Sequence, residues 1–146
     1  MRTSAALAAI LLASCTPKSA APVISIDGAW ARATLPGQMS SAIYFAVRNG
    51  GGEDRLLSVS ATAGEASLHS TSMTDGVMRM RPLQALDIPS NSKVELKPGA
   101  THVMLMGLKA PLAAGSTFPL DIRFEKSGER KVTVTVRPAT ADGAMM

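Results

Sequence analysis

Cysteine is nearly absent from this chain: Cys15 is the only one in 146 residues, and it precedes everything that reads as folded. The folded part therefore carries no free thiol, which excludes the cysteine thiolate that a blue-copper electron-transfer site requires. Aromatics are scarce as well, with one Trp, one Tyr and three Phe. The positive charges alternate with apolar residues instead of clustering, so bases would find neither a stacking platform nor a basic patch, and nucleic acid is not expected as a partner. No stretch shows a helical repeat.

The N-terminus reads as an export signal. Arg2 supplies positive charge, and the apolar run Ala5 to Ala13 is too short to remain as a membrane span. Leu12-Ala13-Ser14-Cys15 resembles the lipobox of bacterial lipoproteins, in which the cysteine is acylated and becomes the new N-terminus. Residues 1–14 are thus expected to be a lipoprotein signal peptide and Cys15 a lipid anchor at the periplasmic face of a bacterial membrane. Ordinary cleavage near Ala20-Ala21, discarding the cysteine, is the alternative. Removing residues 1–14 takes away only Arg2 among the charged residues, so the formal net charge falls from +4 to +3 and the mature chain is mildly basic.

Residues 15–22 then form a small, polar, proline-bearing tether. From Val23 to Pro138 the sequence breaks into short runs of alternating apolar and polar residues, a period of two that marks half-buried strands. The runs are Val23 to Asp27, Ala29 to Thr34, Ala42 to Arg48, Leu56 to Ala61, Ala66 to Thr71, Gly76 to Pro82, Lys93 to Leu96, His102 to Leu108, Thr117 to Glu125 and Arg130 to Val136. Turn residues separate them, including Thr74-Asp75-Gly76, Lys97-Pro98-Gly99 and Ser127-Gly128. Many short strands in a chain of this size predict one all-β domain, a Greek-key β-sandwich or barrel. The tail 139–146 is small and polar, and is expected to be disordered.

Against this background methionine is abundant. Five of the nine, Met73, Met78, Met80, Met104 and Met106, fall between His69 and Met106. Thioethers do not cross-link in an oxidising compartment, so methionine is the sulfur ligand that survives there. The chain has two histidines, His69 and His102, and with Met80 and Met104 they form the series His, ten residues, Met, twenty-one residues, His, one residue, Met. Imidazole and thioether are neutral ligands, and a carboxylate-free set of two His and two Met suits Cu(I). Residues two apart on a strand share a face, so His102 and Met104 project together with Met106, while Val103 and Leu105 turn toward the core. The segment Met78-Arg79-Met80-Arg81 repeats the device, methionines on one face and arginines on the other. Met78 and Met106 read as packing or supporting residues, because a lone Met on a strand face usually packs. Met73 lies near the turn, where it could shield or extend the site.

The four-residue series coincides with the signature of the periplasmic copper chaperones called PCuAC, which this chain resembles from Val23 to Pro138. Gly28-Ala29-Trp30-Ala31-Arg32, Leu96-Lys97-Pro98-Gly99 and Met104-Leu105-Met106-Gly107-Leu108 are similar to recurring segments of that family. The resemblance implies a cupredoxin-like fold, a Cu(I) site at His69, Met80, His102 and Met104, no enzymatic activity, and delivery of copper to a respiratory haem-copper oxidase subunit or a Sco-like protein. In some members a Met follows the first His; here that position is Ser70.

Other readings have less behind them. A hydrolase built on His69 with Ser70 or Ser72 and Asp75 lacks the glycine pattern of a nucleophile elbow. An exported lipoprotein interaction module, its methionines merely packing, is the remaining alternative. Met145 and Met146 at the mobile-looking C-terminus read as incidental.

Overall fold

The structure is a computed structural model that describes residues 20–139. The expected signal peptide, Cys15, the first part of the tether, and residues 140–146 with Met145 and Met146 lie outside the described residues. Ten strands follow in chain order: β1 (Ile24–Arg32), β2 (Ser40–Asn49), β3 (Asp54–Ala61), β4 (Glu65–Thr74), β5 (Val77–Pro82), β6 (Leu86–Ile88), β7 (Ser92–Leu96), β8 (His102–Met106), β9 (Thr117–Phe124) and β10 (Gly128–Arg137). They pair in the order β5-β4-β8-β2-β1-β10-β9-β3-β6, with β7 also on β2, and every pairing is antiparallel except that of β1 with β10. The expectation of an all-β domain is met.

The inward faces enclose one core. Ile43, Phe45 and Val47 of β2, Leu68 of β4 and Val103 and Leu105 of β8 meet Leu56, Ile88, Leu120, Ile122, Phe124, Val134 and Val136 from the other half of the sheet. Burying each such side chain contributes about 1.5–3 kcal/mol. A one-residue slip of β2, β4 or β8 would turn those residues outward, a loss that no outer-face contact could offset. The core therefore dictates which residues the outer face presents.

β1 joins two runs that read separately in the sequence. Asp27 pairs with Ala46 and Trp30 with Tyr44, so β1 carries one extra residue between them, a bulge at which Gly28 takes φ +62°. The bulge reverses the alternation. Ile24 and Ile26 pack toward the core before it, Ala29, Ala31 and Ala33 after it, and Trp30 is turned to the outer face beside Tyr44.

Two buried polar side chains close the loops at the β1 and β9 ends. The Asn49 amide accepts from the N–H of Val23 and Gly51 and donates to the carbonyls of Gly52 and Pro89, fixing the point where the chain enters the sheet. Asp54 accepts hydrogen bonds from the N–H groups of Arg55, Lys126 and Ser127 and from the Ser127 hydroxyl, holding the β9–β10 turn to β3. Burial by itself would raise the Asp54 carboxyl, but these four donors outweigh it and hold the group below its usual range.

Candidate metal centre

The β4–β5 hairpin turns through Asp75 and Gly76, both at positive φ (52° and 76°), the pattern of a type I′ turn that Asp-Gly favours. This two-residue turn sets the register: Thr74 faces Val77, Met73 faces Met78, Thr71 faces Met80 and His69 faces Pro82. On the other side of β4, His69 faces His102 and Ser67 faces Met104. Directly opposed residues share a face. Since Leu68, Val103 and Leu105 point into the core, His69, Met80, His102 and Met104 all lie on the outer face of β5-β4-β8.

The two imidazoles form the centre of the arrangement, with ring centroids 6.1 Å apart and planes within 19° of parallel. His102 Nδ1 lies 3.0 Å from the Ala100 carbonyl oxygen. A carbonyl can only accept, so Nδ1 carries the proton and the Nε2 lone pair is left available to a metal. His69 Nε2 lies 3.0 Å from the Ser67 hydroxyl. With Ser67 as acceptor, His69 presents the lone pair of Nδ1.

Coverage of the four is uneven. The strand-start position of His102 suggests a surface residue, yet it is only 6% exposed. The reason is a neighbour the periodicity does not reveal: the Tyr44 ring stands 6.4 Å from it, and Trp30 stands 4.7 Å beyond Tyr44. Four rings thus cross β4, β8, β2 and β1 in one row. The Arg32 guanidinium lies 5.7 Å over Tyr44 and that of Arg137 4.8 Å over Trp30, roofing the far end. Met80, on the edge strand, is 51% exposed, while Met104 and His69 are half-buried. Met106 shares the face of Met104 and is exposed, as its register requires.

Among the described residues no three His, Cys, Asp or Glu side chains gather as a hard-cation site would need. Around the His69–His102 pair this face offers neutral nitrogen and sulfur donors, its one carboxylate on β4, Glu65, standing two rows away opposite Met106, and that neutral set favours a soft monovalent ion.

The fold is that of a cupredoxin-like β-sandwich. Known proteins agree. A family model described as "LpqE-like: Putative lipoprotein LpqE-like" matches residues 24–136. "Putative lipoprotein Lxx21020" of Leifsonia xyli subsp. xyli is 35% identical over 126 residues, covering 84% of this chain and 74% of its own length. Among solved structures, the copper-bound PCuAC domain from PmoF2 aligns with a TM-score of 0.67 at 26% identity, over 79% of this chain and 92% of that one. The Cu(I) form of DR1885 from Deinococcus radiodurans aligns with a TM-score of 0.58 at 27% identity, over 86% and 81%. The chain belongs to the LpqE-like family, of PCuAC type.

Proposed function

We propose that this protein is an exported copper chaperone that carries Cu(I) on His69, Met80, His102 and Met104. The observation that supports it most is the register: the core and the Asp75–Gly76 turn leave these four side chains no face but the same one. The PmoF2 and DR1885 domains, which share the fold, are described as copper-bound and Cu(I)-bound. The chain is a carrier and not an enzyme.

The ligands differ in role. His102, buried and with its tautomer set by Ala100, forms the rigid base of the site together with His69 and Met104. Met80 and Met104 lie at opposite ends of a diagonal two strands wide and four residues long, about 16 Å between Cα atoms if the sheet were flat. That exceeds what two methionine side chains and one ion bridge. Binding by all four ligands therefore requires the β4–β5 hairpin to bend toward β8 as copper arrives, so Met80 closes the site last and leaves it first. Thioethers displaced one at a time allow copper to pass to an acceptor without free release. The acceptor is the copper centre of a respiratory haem-copper oxidase, reached directly or through a Sco-like protein.

Export and anchoring complete the reading: residues 1–14 are the signal peptide, Cys15 is lipidated, residues 15–22 tether the domain 23–138, and the protein works at the periplasmic face of a membrane. A His102→Ala, Met104→Ala double variant that folds but no longer binds Cu(I) is the expected result. Undiminished binding by the folded double variant would leave an interaction module without metal transfer.

A further inference from the structure

The outer face of the β4–β5 hairpin continues beyond the four ligands. Met73 and Met78 stand directly opposite one another, about 4.5–5.5 Å apart between Cβ atoms as such pairs are. They share the face of His69, Thr71 and Met80, and are 65% and 60% exposed. The intervening rows, Ser72 with Arg79 and Ser70 with Arg81, point to the opposite face and keep both guanidinium groups off this side. From the turn inward the outer face therefore reads Met73 with Met78, then Met80, then His69 with His102, in rows about 7 Å apart.

Two exposed thioethers side by side are an expensive way to cover a hairpin unless the sulfur is used. Neither packs against the core cluster. Packing alone would be served as well by Leu, whereas sulfur adds affinity for a soft cation. Two neutral ligands bind more weakly than four, so a site at the turn would fill after the main one.

We propose that Met73 and Met78 form a second, weaker Cu(I) position at the hairpin tip, through which copper reaches and leaves Met80. The inference rests on the chaperone reading and extends it along the same strand pair. Each move forms one copper–sulfur bond before another breaks, with no change of oxidation state and no proton released. Asp75 lies in the turn between the two methionines and adds a negative charge beside the arrival point.

The test uses the full chain labelled with ¹³C in its methionine methyl groups and titrated with Ag(I), a redox-inert stand-in for Cu(I). The first equivalent is expected to shift Met80 and Met104, and the second Met73 and Met78. In a Met73→Leu, Met78→Leu variant the first equivalent still binds with unchanged affinity and the second does not. Extraction of Cu(I) by bicinchoninate at fixed concentration is expected to slow about tenfold in that variant, because the thioethers held beside Met80 at high effective concentration no longer take over the ion as the Met80 bond breaks. Shifts of Met80 and Met104 with Met73 and Met78 unmoved at excess Ag(I), or an unchanged extraction rate, would overturn this inference and leave the chaperone reading standing. Shifts of Met73 and Met78 at the first equivalent, with Met80 and Met104 silent, would overturn both.

Discussion

His69 and His102 face each other across β4 and β8 with their rings nearly parallel and 6.1 Å apart, and the rest of the proposed site is arranged around that pair. Each ring has one nitrogen engaged by the protein, by Ser67 in one case and by the Ala100 carbonyl in the other. Such outer partners fix ring orientation before a metal arrives.

Removing either imidazole is expected to weaken Cu(I) binding by more than about a hundredfold, above the 10–100-fold that loss of a mere supporting hydrogen bond costs. Met80→Leu, at an exposed edge position, should alter stability by no more than about 0.5 kcal/mol while still lowering affinity. Competition titration against a Cu(I) chelator, paired with urea melts, separates the two effects.

Tyr44 walls the inner side of His102. Tyr44→Ala is expected to cost about 3 kcal/mol, as truncation of a buried aromatic does, and to weaken copper binding by freeing the His102 ring. Tyr44→Phe keeps the ring and should keep the affinity. Equal loss in both variants would mean that the hydroxyl, not the ring, supports the site.

Asp54 governs behaviour in acid. Its folded value lies below the ordinary one, so its contribution is complete above about pH 4 and is lost as the pH falls through the depressed folded value. Asp54→Asn should destabilise the fold at pH 7 by about 2 kcal/mol, the scale of hydrogen bonds to a charged group. The gap between the two proteins should narrow below pH 4. Urea unfolding from pH 7 to pH 3 checks both magnitude and sign.

Gly28 allows the bulge that turns Trp30 outward. A Cβ there would meet nothing within 4 Å, so Gly28→Ala is opposed only by its positive φ, at a cost of about 1 kcal/mol, with copper affinity unchanged. A loss several times larger in thermal melts would mean that the bulge itself had rearranged.

Much of this was legible beforehand, and the exceptions have physical causes. Alternation identified nine of the ten strands' locations, because residues such as Ile43, Phe45 and Val47 carry a clean period of two. Leu86–Ile88 shows no such signal, since three residues are too few to display a period. Val23 to Asp27 and Ala29 to Thr34 read as two strands because the bulge at Gly28 reverses their phase. The common face of His102 and Met104 follows from spacing alone, whereas that of His69 and His102 depends on pairing across β4 and β8. His102's burial depends on Tyr44, distant in sequence and brought alongside by register, so no local pattern announces it.

X-ray absorption on the Cu(I)-loaded chain tests the central claim most directly. The account predicts two nitrogen and two sulfur neighbours around each copper at one equivalent, with both sulfur contributions lost in a variant in which Met73, Met78, Met80 and Met104 are all replaced by Leu. A first shell of nitrogen and oxygen alone, or sulfur that survives in that variant at one equivalent, would contradict it.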